Sequence, residues 1–142
     1  MTAFTSSAPG KIILLGEHAV VYGQPALAVP VRSVQARTVV RAIIGRKAGE
    51  ILIHAPDIDL EAYLHELDAH NPIKAAVGQV LKHLGVSAPP ACEIRVASTI
   101  PIASGLGSGA AVTCTVVQAL SAFLGQRLTI GEASELTYQV EK

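Results

Sequence analysis

A glycine-rich segment between an alternating run and a long apolar run is the part of the sequence best suited to bind an anion. It reads Pro101-Ile-Ala-Ser-Gly-Leu-Gly-Ser-Gly-Ala-Ala111 and sets glycines at positions 105, 107 and 109. Glycines let the backbone turn tightly and approach a ligand without a Cβ in the way. A helix that starts after such a loop directs unpaired N–H groups and the positive end of its dipole at the same spot. The segment therefore predicts a phosphate cradle.

This segment differs from the two commonest phosphate-binding patterns. No Gly-Lys-Ser/Thr follows the glycines, and the acid that binds ribose about twenty residues beyond a dinucleotide loop is missing. From the spacing alone, a glycine-rich turn between a strand and a helix, without any ligand, stays open as the alternative.

Three polar residues near the start of the chain form a second candidate set. We expect a turn at Pro9-Gly10 and a short buried strand from Ile12 to Leu15, with Lys11, Glu17 and His18 at the two ends of that strand. Each of the three, taken alone, is typical of a solvated turn. Together, beside a fully apolar strand, they indicate a site.

Composition and charge limit the class of protein. The chain has 142 residues, 50% of them hydrophobic and 15% charged, which suits one domain with a buried core. Eleven basic and eleven acidic residues cancel, so we expect neither a nucleic-acid nor a membrane partner. Cys92 and Cys114 lack metal-ligand spacing and are expected to be small core residues. With no leader-like segment over Met1–Ser7, these features predict a cytoplasmic protein.

The spacing of apolar residues predicts strands early in the chain and helices later. The stretch from Lys11 to Ile44 predicts short strands joined by tight turns, and Glu50–Ala55 predicts another strand, paired to them as a hairpin. The spacing of Leu60, Tyr63, Leu64 and Leu67 favours a surface helix over Asp57–His70. Asn71-Pro72 and Gly85 are typical of the two ends of a further helix.

The second half of the chain surrounds the glycine loop. Cys92, Ile94 and Val96 alternate with polar residues, which predicts a strand with one buried and one solvated face, leading into the loop. The run from Ala110 to Leu124 predicts a helix buried on most sides. Thr129 and Glu132 form a capping box for a last helix that reaches Lys142 without a stop signal, so we expect a longer parent chain.

With both motifs in place, the sequence resembles the family of small-molecule kinases that act on galactose, homoserine, mevalonate and phosphomevalonate. The family's Pro-Gly-Lys…Gly-Glu-His segment is similar to Pro9–His18, and its Pro-x-x-x-Gly-Leu-Gly-Ser-Ser-Ala loop is similar to Pro101–Ala110. Within the family, Gly16–Gly23 most resembles the branch that acts on mevalonate. Galactokinases tend to carry Asp-Tyr after the His, and phosphomevalonate kinases Glu-Tyr in place of Glu17-His18.

The resemblance implies a fold, a domain plan and a reaction. The fold is α+β, with a mixed, largely antiparallel sheet covered by helices and a left-handed βαβ crossover. Residues 1–142 would be the N-terminal ATP-binding domain, ending before the catalytic Asp motif and the C-terminal domain, so this piece alone is expected to be inactive. The reaction would be ATP- and Mg²⁺-dependent phosphorylation of the primary hydroxyl of mevalonate to 5-phosphomevalonate, in isoprenoid biosynthesis.

The resemblance also implies residue roles. Lys11 would be catalytic, Glu17 and His18 would bind the substrate, and Ser108 and Glu141 would bind Mg²⁺. The loop that wraps the ATP phosphates would comprise Ser104, Gly105, Leu106, Gly107, Ser108, Gly109 and Ala110. The family usually has a second serine where this chain has Gly109, and that serine is the position associated with the metal.

Two alternative functions stay open. One is another kinase of the same family, acting on phosphomevalonate, galactose or a similar sugar, and the other is a non-catalytic nucleotide-binding module. The oligomeric state is also open, a homodimer being one option. Without a second domain, we expect the apolar helix after the loop to be exposed.

Overall fold

The structure is a computed structural model that describes residues 2–142 as five strands and three helices. The strands are β1 (Ala3–Leu15), β2 (Leu27–Ala42), β3 (Ile51–Ala55), β4 (Leu60–Tyr63) and β5 (Cys92–Ser98). The helices are α1 (Pro72–Leu84), α2 (Ser108–Phe123) and α3 (Ile130–Glu141). Short 3₁₀ turns lie at Ala19–Tyr22, Pro56–Ile58 and Leu64–Glu66. No helix within residues 2–142 is long and apolar enough to cross a membrane.

The strands form one mixed sheet in the order β1-β2-β5-β3-β4. Only β5 and β3 are parallel, and the other neighbouring pairs are antiparallel. The predicted α+β fold with a largely antiparallel sheet is therefore confirmed. The chain passes from β3 to its parallel neighbour β5 through β4 and α1, and the left-handed crossover predicted for this unit stays a prediction.

All three helices contribute to one core on one face of the sheet. Val40, Ile53 and Ile94 point from the central strands into a cluster that includes Val77 of α1 and Leu120 of α2. Eight residues of α2 are buried, so the expectation that this helix would be exposed is wrong. The exposed apolar side chains lie elsewhere, mainly at the far end of β1 and β2 and in the turn between them: Ile12, Leu14, Leu15, Val20, Val21, Tyr22 and Leu27.

The helix ends that the sequence indicates are confirmed. The side chain of Asn71 accepts from the N–H of Ile73 at 2.9 Å, and Gly85 ends α1 in the left-handed conformation. The capping box of α3 is complete, since Thr129 and Glu132 each accept a backbone N–H from the other. These signals are local, because a cap involves only residues of the first or the last turn of its helix.

The expected short strands between Lys11 and Ile44 are wrong. β1 and β2 pair over most of their length, from Ala3 opposite Arg41 to Leu15 opposite Leu27. Pro9-Gly10 is a register shift within β1 and not a turn. Pro9 is tolerated because β1 is an edge strand, where a missing N–H costs no ladder bond. The stretch Ile12–Leu15 is also not buried, since Leu15 is 67% exposed.

Two further expectations about the sheet are wrong. β3 forms no hairpin with β2, because β5 lies between them. The segment Asp57–His70 contains β4 and two 3₁₀ turns in place of a helix, since Leu60–Tyr63 pairs with β3. On β5, Glu93 is 9% exposed where a solvated side chain was expected, because Arg41 donates to its carboxylate at 2.7 Å.

Candidate active site

The glycine loop is anchored at both ends by the strands beside it. The N–H of Thr99 donates to the carbonyl of Gln35 on β2 at 2.9 Å, and Ile100 is 3% exposed within a small apolar cluster. Inside the loop, the hydroxyl of Ser104 donates to the carbonyl of Pro101 at 2.7 Å. These contacts fix the start of the loop to β2 and close a turn within it.

The backbone of the loop turns repeatedly through the left-handed region. The φ angle is +58° at Ala103, +76° at Gly105 and +72° at Gly107. A non-glycine residue in this region stores strain, which is common at binding sites. Gly107 is the N-cap residue of α2 and supplies no side-chain cap. The N–H groups of the first turn of this 16-residue helix are thus left for a ligand, together with the positive end of its dipole.

Lys11 of β1 lies directly against the loop. Its N–H donates to the carbonyl of Leu106 at 2.8 Å. Its side chain crosses Gly107, where an added Cβ would lie 2.9 Å from the Cγ atom of the lysine. A lysine in this position brings a positive charge to the N-terminus of α2, where the helix dipole already favours anions.

Glu141, the last residue of α3, approaches the same helix end from another side. Its Oε1 accepts from the hydroxyl of Thr113 at 2.9 Å. Its Oε2 would lie 3.1 Å from a Cβ added at Gly109. The carboxylate of Glu141 therefore lies directly against Gly109, the position at which the resembling family usually has its second serine.

Two clefts flank the loop, and Glu141 lines both of them. The first, which we call the α1-side cleft, has a volume of about 490 Å³ and is walled mainly by apolar side chains. Its other walls include Asp57, His70 and Ser108. The second, the α3-side cleft, has a volume of about 480 Å³ and is lined by Lys11, Gly107, Cys114, Tyr138, Glu141 and several small residues. Lys11, Ser108 and Glu141 are thus brought together around the start of α2.

Glu17 and His18 are not brought into either cleft. Both are exposed, and His18 precedes the 3₁₀ turn Ala19–Tyr22 that follows β1. The lining residues of the two clefts include neither of them. Their predicted role in binding a substrate stays a prediction.

Both cysteines are free thiols, Cys92 buried and Cys114 half-buried. Burial raises the pKa of Cys92 to about 12. Burial also raises the pKa of Cys114, against the opposing effect of a hydrogen bond with Thr137. Within residues 2–142, no three His, Cys, Asp or Glu side chains converge as a metal cluster.

Three polar residues at the site were missed by sequence reasoning. Thr113 holds Glu141, His70 lines the α1-side cleft, and the carboxylate of Asp57 accepts from the N–H of Ser98 at 2.7 Å. None lies in a recognisable motif, because each reaches the site through the packing of an element distant in sequence. The one signal for Thr113 is its spacing, four residues after Gly109 on the same face of a helix.

Comparison with known proteins identifies the family of kinases to which the fold and the loop belong. Residues 71–142 match the family described as GHMP kinases N terminal domain, and the chain belongs to this family. Among curated relatives, it is 33% identical to the mevalonate kinase of Methanocaldococcus jannaschii over 144 residues, which is 94% of this chain and 45% of that protein. It is 41% identical over 118 residues to the mevalonate kinase of Archaeoglobus fulgidus, covering 82% of this chain and 37% of that protein.

A solved structure gives the same result for the fold. The crystal structure of the Methanococcus jannaschii mevalonate kinase superposes with a TM-score of 0.83 at 29% sequence identity. The match covers 99% of this chain and 46% of that one. The chain thus spans less than half the length of the mevalonate kinases that it resembles.

Proposed function

We propose that this chain is the ATP-binding part of a kinase that transfers a phosphoryl group to mevalonate. The observation that carries the proposal is the approach of Lys11 and Glu141 to two glycines of one loop. An added Cβ would lie 2.9 Å from the lysine side chain at Gly107 and 3.1 Å from the carboxylate at Gly109. A cation and an anion therefore flank a free helix N-terminus, which suits a phosphate and its counter-ion.

The loop and the first turn of α2 bind the phosphates in this proposal. Phosphoryl transfer depends mainly on positioning and on charge neutralisation, which backbone N–H groups and one lysine can supply. Support comes from the uncapped start of α2 and from the bond between Lys11 and Leu106, which fixes β1 to the loop. The roles of Ser104, Gly105 and Ala110 follow from their places in the same loop.

The nucleotide base occupies the α1-side cleft. Its volume of about 490 Å³ is within the range of small-molecule sites, and its walls are mainly apolar with a few polar groups, which is typical of such sites. Its polar lining residues outside the loop are Asp57, His70, Ser98, Thr113 and Glu141. The cleft also reaches Ser108 and Glu141, so a base here leaves the phosphates at the start of α2.

The residues present fit a bound Mg²⁺. This ion takes oxygen ligands and is usually held by one or two carboxylates together with substrate phosphates and water. Glu141, at the end of α3, supplies a carboxylate beside the loop, and Ser108 supplies a hydroxyl in the first turn of α2. Both residues line the α1-side cleft. When bound, Mg²⁺ would neutralise charge on the transferring phosphoryl group. Gly109 removes one hydroxyl from this set and leaves room for the carboxylate.

The acceptor lies on the α3-side of the loop in this proposal. Lys11 lines that cleft and supports the acceptor hydroxyl. Glu17 and His18 lie outside the cleft, exposed in the segment that follows β1, and would contact the part of mevalonate that extends beyond it. We assign no residue of this chain as the carboxylate that accepts the hydroxyl proton, and the mevalonate kinases that the chain resembles are more than twice as long. We therefore expect no turnover from these residues alone.

A coupled assay of ADP release tests the proposal. The full-length protein that contains this chain is given Mg·ATP and, in turn, mevalonate, phosphomevalonate, galactose and homoserine. We expect turnover with mevalonate, and at least a hundredfold loss of kcat in Lys11→Met, since misplacement of one catalytic group costs about that much. Lys47→Met, which removes an exposed lysine of the β2–β3 turn, is the control and should keep wild-type activity.

The other outcomes separate the alternative functions. Turnover with phosphomevalonate, galactose or homoserine alone would refute mevalonate as the acceptor and retain the kinase. Binding of Mg·ATP without turnover on any of the four would favour a nucleotide-binding module. Absence of nucleotide binding would refute the proposal as a whole.

A further inference from the structure

We propose that Thr113 is a positioning residue that aims the Glu141 carboxylate at the metal position beside the loop. The inference rests on the proposed function, since it assumes that Glu141 binds Mg²⁺. It adds a residue of α2 that no sequence motif marks and that lines the α1-side cleft one turn beyond Gly109. Thr113 is 2% exposed, whereas Glu141 is exposed at the end of α3.

The geometry gives the two carboxylate oxygens different surroundings. Oε1 accepts from the Thr113 hydroxyl at 2.9 Å. Oε2 is the atom nearest to the free space above Gly109, at 3.1 Å from an added Cβ, against 3.6 Å for Oε1. Gly109 and Thr113 are four residues apart and so lie on one face of α2. The carboxylate is therefore anchored by Oε1 and presents Oε2 toward the N-terminus of the helix.

The direction of the Thr113 hydroxyl is unlike that of other hydroxyls on the helices. Thr115, Ser121 and Thr137 each donate to a carbonyl of their own helix, which is the usual arrangement for Ser and Thr in helices. Thr113 instead donates to a side chain 28 residues away on another helix. A glutamate at the end of a helix otherwise rotates freely about its side-chain bonds, so this bond selects one orientation.

Partners that orient a metal ligand commonly change metal affinity by about 10- to 100-fold when they are removed. We expect Thr113→Val, which keeps the shape and removes the hydroxyl, to weaken Mn²⁺ binding about tenfold in the full-length protein with ADP present. Mn²⁺ serves as a paramagnetic probe for the Mg²⁺ position, read by electron paramagnetic resonance. The Mn²⁺ loss is expected with ADP saturating, and ADP affinity in EDTA, measured for each variant, reports any direct effect on the nucleotide, because Thr113 also lines the α1-side cleft.

Matched variants separate positioning from a merely structural bond. Ser121→Ala removes a buried hydroxyl that bonds only to carbonyls of α2 and should leave Mn²⁺ affinity unchanged. Thr113→Ser keeps the hydroxyl and Thr113→Ala removes it at similar volume. This second pair should show the same tenfold difference in Mn²⁺ affinity even if the valine variant folds poorly.

The outcomes distinguish this inference from the proposed function. Wild-type Mn²⁺ affinity in Thr113→Val, or equal losses in Thr113→Ser and Thr113→Ala, would overturn the positioning role and leave the metal site in place. If the wild-type protein binds ADP but no Mn²⁺, the metal site itself fails and the role of Thr113 fails with it. Tenfold weaker binding confined to the variants without the Thr113 hydroxyl supports the inference.

Discussion

Alanine substitutions at two glycines of one loop separate backbone strain from the contact with Lys11. Gly105 and Gly107 have φ angles of +76° and +72°. An alanine at either position would have to adopt the left-handed conformation, which costs about 1–2 kcal/mol of stability. An added Cβ at Gly105 meets nothing within 4 Å, whereas at Gly107 it meets Cγ of Lys11 at 2.9 Å and Cε at 3.1 Å. Gly105→Ala is therefore a matched control for the backbone cost.

The expected magnitudes follow from these contacts. Both variants should lower the free energy of unfolding by about 1–2 kcal/mol, measured by urea denaturation. The lysine side chain is flexible and can move aside at about 0.5–1.5 kcal/mol, so the two variants should differ little in stability. In the full-length protein, however, Gly107→Ala moves Lys11 off the loop, and we expect a kcat at least about tenfold lower than that of Gly105→Ala.

A double-mutant comparison makes the test specific to Lys11. The additional change Lys11→Met should reduce kcat in Gly105→Ala by the same factor as in the wild type, because the two sites do not touch. In Gly107→Ala the same change should cost much less, because the lysine has already been displaced. Equal factors in the two backgrounds would refute the claim that Gly107 is required for the position of Lys11.

Three further predictions concern stability and reactivity. Thr38 and Thr115 share a buried hydrogen bond of 2.8 Å, and because the proton of Thr115 goes to a carbonyl of its own helix, Thr38 is the donor. T115V leaves the Thr38 proton without an acceptor and should cost about 1–3 kcal/mol by urea denaturation, more than T38V; a T38V cost as large as that of T115V would contradict the assignment. Because burial raises the pKa of Cys92 to about 12, a disulfide reagent at pH 8 should modify Cys114 first and Cys92 only after unfolding, and equal rates would count against this. A hydrogen bond from the backbone N–H of Thr129 lowers the pKa of Glu132. The charged Glu132 therefore stabilises the fold fully above the pKa of an unfolded Glu, and this contribution is lost as pH falls through the lowered pKa. The Tm values of E132Q and wild type should converge in acid, and a constant difference would disagree.

The parts of the fold that the sequence predicts are those with local causes. The ends of α1 at Asn71 and Gly85 and the capping box at Thr129 and Glu132 depend only on neighbouring residues. Strand pairing depends on distant partners, and it was the pairing of β3 with β5 that the sequence did not reveal. In an isolated stretch, the apolar spacing of Asp57–His70 fits a helix as well as a short strand with two turns, and the sheet decides between them.

The residues of the candidate site can also be separated into those with a local cause and those that depend on distant partners. The glycine loop is visible in the sequence because the backbone itself requires glycine at Gly107, and family resemblance adds Lys11 and Glu141. Thr113 is not visible, because its hydroxyl matters only once α3 packs on α2. In the sequence, Gly109 is only a position where a metal-binding serine is missing. The structure shows that a side chain at this position would contact the Glu141 carboxylate, which spacing alone does not reveal.

The most direct test of the account is a crystal structure of the full-length protein with Mg²⁺ and a non-hydrolysable ATP analogue. The account predicts that the phosphates lie on the first turn of α2, that the metal ion contacts Oε2 of Glu141, and that Lys11 faces the γ-phosphate. Phosphates bound away from this turn, or a metal ion that Glu141 does not touch, would contradict it.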